Sequence, residues 1–236
     1  MGSVLKYYED APGKMLRSKY LISMFSKQAE VFGTVLESTT ERAKTAAESI
    51  ETIHLASLIH DDILDGAETR RELQTIVARY GINSALLAGD VMFSRALQQM
   101  HSIGDEMIMA KTLEILNLMC EGQMQENSYA LLGVTPTQEE LIETIEKKTG
   151  SLFALAAFVG TYLVLSEKSD QNLTPEMTAE LEKVTQDGYY YGVVYQLRDD
   201  LKDIEDDLNS GSVTFPIVFG EEVTNAVIAN IVSKLK

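Results

Sequence analysis

Two pentads dominate the chemistry of the chain: Asp61-Asp62-Ile63-Leu64-Asp65 and Asp199-Asp200-Leu201-Lys202-Asp203, both spaced D-D-x-x-D. With 13 aspartates among 236 residues, a shuffled chain would hold about 0.04 such pentads. Composition does not account for two. On a helix, residues four apart stack on one face and the next residue lies about 100° round, so each pentad aims at least two carboxylates at one point. Like charges gathered there repel and raise one another's pKa unless a cation is present. Hard oxygen donors, one or two carboxylates per ion and room for phosphate oxygens fit Mg²⁺ better than a Ca²⁺ cage. The sequence argues against zinc: His54 and His60 lack H-E-x-x-H spacing, and a single cysteine, Cys120, rules out a thiolate cluster. An acidic run is ordinarily a solvated helix face, and for Asp199 to Asp207 that reading stays open.

Bases stand beside the acids. Arg70-Arg71 follow the first pentad across a short loop, Lys147-Lys148-Thr149 precede a long apolar stretch, and Lys14 and Arg17 lie near the start. Taken singly each is ordinary surface charge; together they supply the cationic half of a diphosphate site. The whole chain carries 20 Lys+Arg against 36 Asp+Glu, a net charge of −16. That balance excludes a general nucleic-acid or anionic-membrane binder, so any phosphate is met locally.

The elements that must hold these groups read as helices. Four prolines interrupt the chain, and between them apolar residues recur at three- and four-residue spacing. Helices are predicted over Ala43–Asp65, Ala85–Met100 and Met107–Tyr129. A capping box at Thr137/Glu140 and an N-cap with N1 proline at Thr174-Pro175 start two more, the second running toward Lys183, with a further helix over Val184–Leu208. The apolar run Leu152–Leu165 is broken by Gly160 and Thr161 and falls short of the ~20 residues that span a bilayer, so it reads as a buried helix with no transmembrane segment. No linker or repeat divides residues 1–236, which predicts a single all-α domain. The N-terminus lacks the apolar region of a secretory signal, and one cysteine cannot form an internal disulfide, so a reducing, cytoplasmic setting is expected.

The stretch Ile53 to Asp65 with Glu68-Thr69-Arg70-Arg71, together with Tyr195 to Asp203, resembles the two aspartate-rich motifs of the trans-isoprenyl diphosphate synthases, the polyprenyl synthetase family. Gly89-Asp90, Lys148-Thr149-Gly150 and Gly211 to Pro216 fall in the family's order. The resemblance implies an antiparallel helical bundle around a deep central cavity, the isoprenoid synthase type I fold, with the pentads facing each other at its mouth and usually a homodimer. It implies an Mg²⁺-dependent head-to-tail condensation of an allylic diphosphate with isopentenyl diphosphate. Carried over by position, Asp61, Asp65 and Asp199 would bridge Mg²⁺ to the allylic diphosphate, with Asp62, Asp200 and Asp203 as further metal partners. Arg70 and Lys148 would hold that diphosphate. Lys14, Arg17, His54 and Arg71 would hold isopentenyl diphosphate, and Thr149 and Gln196 would lie beside the reacting carbons.

Chain length in the family is set just before the first pentad. Here Ala56 and Ser57 stand at the fifth and fourth positions upstream of Asp61, with Ile53 deeper, so no aromatic blocks the path and a product longer than C15 is expected. Met92, Phe93, Met119 or Met124 would form a lower floor, or simply core packing. The chain also departs from the pattern. Gly13-Lys14-Met15-Leu16-Arg17-Ser18 lacks the first Arg and the Pro of G-K-R-[I/L]-R-P, no G-K lysine follows the second pentad, and relatives continue through further helices after Pro216. Two other readings stay open: a terpene synthase ionising an allylic diphosphate alone, and a partner subunit of a heteromeric synthase.

Overall fold

The computed structural model describes residues 13–70 and 73–235; Arg71 lies outside them. The chain folds as α1 (Leu16–Phe32), α2 (Glu37–Leu64), a small hairpin β1 (Thr69–Arg70) and β2 (Leu73–Gln74), α3 (Ile76–Tyr80), α4 (Ile82–Ser102) and α5 (Glu106–Leu132). Then come α6 (Gln138–Ile145), a π-turn (Glu146–Gly150), α7 (Ser151–Lys168), α8 (Pro175–Asp200), α9 (Ile204–Ser210), α10 (Phe215–Phe219) and α11 (Glu221–Lys234).

The centre is α7, in which every residue from Ser151 to Ser166 is buried. It is long and apolar enough, with α6 and the π-turn, to cross a membrane by composition, yet it is enclosed by protein. α1, α2, α5 and α8 pack around it, and each fully buried Leu, Val or Phe there contributes about 2 kcal/mol through lost apolar surface. A second apolar cluster, including Tyr129, Val193, Leu197, Phe215 and Ile231, closes the end formed by α10 and α11. A third, with Ala56, Ile59, Ile76, Ala85, Ala88 and Met92, joins α2 to α3 and α4.

Local signals set the helix starts. Thr137 and Glu140 form the reciprocal capping box of α6, Thr174 accepts the Met177 N–H ahead of Pro175, and Asp105 caps α5. The two helices expected across residues 174–208 are instead one continuous helix that ends at Asp200, with a separate α9 after it. The break is made by the backbone: the N–H groups of Lys202 and Asp203 both return to the Asp199 carbonyl, at 2.9 and 3.2 Å, tightening the chain into a turn. The second pentad therefore straddles a helix end. The hairpin was not signalled by periodicity; its two-residue strands pair Thr69 with Gln74 and Arg70 with Leu73, which folds Arg70 back toward α2.

Candidate active site

The first pentad closes α2, and its acids diverge as the helical spacing requires. Asp62 turns inward, 1% exposed, and accepts a 2.6 Å hydrogen bond from Nε of Arg70. Asp61 and Asp65 face Lys148 and Glu126 across the bundle. Burial pushes the Asp61 carboxyl up to about 6; Lys148 opposes that shift, while Asp65 and Glu126 add to it. Asp65 is raised for the same leading reason.

Opposite stands the π-turn, whose extra residue presents successive side chains to two neighbours. Lys148 donates to Oε2 of Glu126 on α5. The hydroxyl of Thr149 donates to Oε1 of Gln196 on α8 at 3.1 Å, and Lys147 turns outward to Glu143 at 2.8 Å. Two glycines permit this approach. A Cβ on Gly122 would lie 2.6 Å from the Lys148 backbone nitrogen, and one on Gly192 would lie 2.6 Å from the Gly150 Cα. Any larger residue would drive α5 or α8 off the turn. Burial alone would lower the Lys148 pKa, but Glu126, Asp61 and Asp65 outweigh it and hold the ammonium charged.

On α8, Gln196 continues the chain of contacts by donating from Nε2 to Oδ1 of Asp200 at 2.7 Å. Burial pushes Asp200 up to about 7; the Gln196 bond works against this, and Asp207, Glu126 and Asp199 work with it. Asp199 pairs with Lys202 at 3.1 Å, and Asp203 is exposed beyond the helix end. Glu126 thus lies within electrostatic reach of Asp61, Asp65 and Asp200 together. It joins the two pentads. Sequence reasoning passed over it, because a single glutamate inside a helix carries no spacing signal beyond Gly122 four residues earlier.

The remaining expected residues are spread around this centre. Lys14 is exposed at the start of α1, and Arg17 is half-buried with its guanidinium 4.8 Å from the Phe153 ring centroid. His54 is half-buried on α2, two turns before Asp61. Ala56 is fully buried in the α2–α3–α4 cluster with Met92, Ser57 is half-buried and donates to the His54 carbonyl at 2.8 Å, and Ile53 belongs to the main core. Met119 packs in that core, whereas Met124 is 72% exposed and does not form a cavity floor as the sequence had suggested.

The donor set suits a hard divalent cation. Carboxylate oxygens are gathered where burial, with neighbouring acids adding to it, holds Asp61 and Asp200 well above ordinary carboxylates. Among the described residues no three side chains of His, Cys, Asp or Glu converge into a ready-made metal cage.

Comparison with known proteins agrees with this geometry. The family profile described as Polyprenyl synthetase matches residues 1–234. A short chain isoprenyl diphosphate synthase of Methanocaldococcus jannaschii is 32% identical over 210 residues, 85% of this chain and 61% of that protein. Heptaprenyl diphosphate synthase component 2 of Geobacillus stearothermophilus is 28% identical, over 97% of this chain and 70% of the relative. Among solved structures, a geranyltranstransferase of Thermotoga maritima superposes with a TM-score of 0.83 at 26% identity, covering 99% of this chain and 80% of that one. The chain spans about six-tenths of the length of the Methanocaldococcus relative.

Proposed function

The chain belongs to the polyprenyl synthetase family, and from that premise we propose that it condenses an allylic isoprenyl diphosphate with isopentenyl diphosphate to give a longer trans-polyprenyl diphosphate. The observation that carries the reading is the Lys148–Glu126 ion pair, which lies within electrostatic reach of Asp61 and Asp65 on one side and of Asp200 on the other and so sets acids and a charged base around one centre. Asp61, Asp65 and Asp199 would bridge Mg²⁺ to the allylic diphosphate, with Asp62, Asp200 and Asp203 as further metal partners and Asp62 also steadying Arg70. Bound there, Mg²⁺ supplies positive charge to the diphosphate oxygens. Lys148 and Arg70 stabilise the negative charge that develops on the departing group, in a site where burial strengthens the interaction. Thr149 and Gln196, tied to each other, fix the wall beside the reacting carbons. The apolar residues below the pentads keep water from the allylic cation until the isopentenyl double bond attacks. The proton then lost passes to the released diphosphate.

Lys14, Arg17, His54 and Arg71 would bind the second diphosphate. The side chain at position 56 sets the limit of growth, and with Ala56 and Ser57 there the product exceeds C15. Ala56→Phe should shorten it, at some cost in packing against Met92. We further read the active form as a homodimer, for which exposed Ile82, Leu86 and Leu87 on α4 offer apolar surface.

A second reading, a subunit active only with a partner, is favoured by the likeness to a protein named as one component of a heptaprenyl diphosphate synthase. One assay separates the readings: purified protein, Mg²⁺, an allylic diphosphate and labelled isopentenyl diphosphate. Label in a longer diphosphate supports elongation. A hydrocarbon made without isopentenyl diphosphate points to a terpene synthase, and silence relieved by a partner chain points to a subunit.

A further inference from the structure

We propose that Glu51 is the positioning residue of the isopentenyl diphosphate site: a carboxylate on α2 that caps α1 from outside and so holds Lys14 and Arg17 in place. The inference rests on the function proposed above. Helix α1 has no cap of its own. Its N-cap residue is Met15, whose side chain accepts nothing and whose backbone is left-handed, φ 49 and ψ 45, a conformation unfavourable for a non-glycine residue. The first bond within the helix runs from the Lys19 N–H to the Met15 carbonyl at 3.1 Å. The Ser18 N–H precedes it and has no partner inside the helix. It donates instead to Oε1 of Glu51 at 2.9 Å, across 33 residues of sequence.

Glu51 is 8% exposed, on the stripe of α2 that also carries Ala47 and Ile50. A carboxylate buried there without hydrogen bonding would be strongly unfavourable. Facing the positive end of α1 offsets that cost. The same turn is closed by the Ser18 hydroxyl, which donates to the Met15 carbonyl at 3.0 Å, and Arg17 rests over Phe153. His54 follows Glu51 by three residues on α2, so one stripe of that helix carries both the cap and a residue expected at the same diphosphate. Glu51 is buried against the Ser18 N–H and acts through the turn it fixes.

The test compares Glu51→Leu, Glu51→Gln, Ser18→Pro and the double variant Ser18→Pro/Glu51→Leu. Steady-state KM is measured for each substrate, with Ser18 amide exchange and melting temperature alongside. Glu51→Leu should raise KM for isopentenyl diphosphate about tenfold while KM for the allylic substrate stays within about twofold. Glu51→Gln keeps an acceptor oxygen and should recover most of the loss. Proline is tolerated in a first helical turn and has no N–H, but it also lacks the Ser18 hydroxyl bond to Met15, so the double variant is read against Ser18→Pro: with no N–H to cap, Glu51→Leu should cost no further affinity for isopentenyl diphosphate in that background. Unchanged KM values in Glu51→Leu, an equal rise for both substrates, or the full Glu51→Leu loss persisting in the Ser18→Pro background overturns the proposal. Should Glu51→Leu fail to fold, Glu51→Gln and the double variant decide by the same criteria. A wild-type chain that elongates nothing defeats the functional reading instead; the cap is then judged by Ser18 exchange, slow in wild type and Glu51→Gln and fast in Glu51→Leu, and equal exchange in all three rejects it.

Discussion

The two pentads are identical in spacing and unlike in setting. In both, the second aspartate is the buried one, Asp62 at 1% and Asp200 at 6% exposure. Asp62 meets a guanidinium at 2.6 Å, whereas among the described residues Asp200 meets the neutral amide of Gln196 at 2.7 Å. The first pentad stays on its helix to Leu64, so Asp61 and Asp65 remain on one face. The second loses its helix after Asp200, so Asp203 leaves the face that spacing assigns to it. Spacing therefore specifies a shared face only for as long as the helix continues, and a buried acid is compensated or left poised according to the partner that the fold supplies.

That contrast can be broken experimentally. The largest effect should come from Asp61→Asn, which removes a carboxylate from the centre: kcat should fall roughly 10³-fold in the elongation assay, against less than about tenfold for Asp203→Asn. Equal losses would make the two pentads equivalent. Next is stability. Asp62→Asn leaves Arg70 beside a buried neutral group and should cost about 3 kcal/mol in a denaturant titration, whatever its effect on turnover. Asp200→Asn should do the opposite in metal-free protein. The folded pKa of Asp200, about 7, lies above its ordinary value of 3.8, so the folded state holds the proton more tightly. Its contribution is complete below about pH 4 and is lost as pH rises through 7. Relative to wild type, Asp200→Asn should gain melting temperature between pH 5 and pH 8, and a gap that shrinks over that range would show the carboxylate to be compensated. The smallest effect belongs to Lys202→Ala. Lys202 is an exposed residue paired with Asp199, and its loss should change activity less than about twofold.

The helical class, the long helices and the two pentads were legible because periodicity and spacing are local. The sequence of the joined α8 reads as two helices, since no local signal near residues 183 and 184 distinguishes a continuous helix from two abutting ones. The break at Leu201 depends on backbone bonds to one carbonyl. Glu126 and Glu51 were missed for a different reason. Each is a lone glutamate whose role comes from what a distant element brings to it, Lys148 in one case and the Ser18 N–H in the other. Glu51 did leave a trace, as a charged residue on an otherwise buried stripe.

The central claim is that both pentads hold one Mg²⁺–diphosphate ligand through the Lys148–Glu126 junction. It is tested most directly by a double-mutant cycle on ligand-induced stabilisation, with melting temperatures taken with and without Mg²⁺ plus an unreactive allylic diphosphate analogue. Wild type should gain the equivalent of about 3 kcal/mol at a hundredfold excess over Kd. Asp61→Asn and Asp200→Asn should each remove most of that gain, and the double variant little more than either alone. Additive losses, or a wild-type melting temperature that ignores the ligand, would contradict a single shared site.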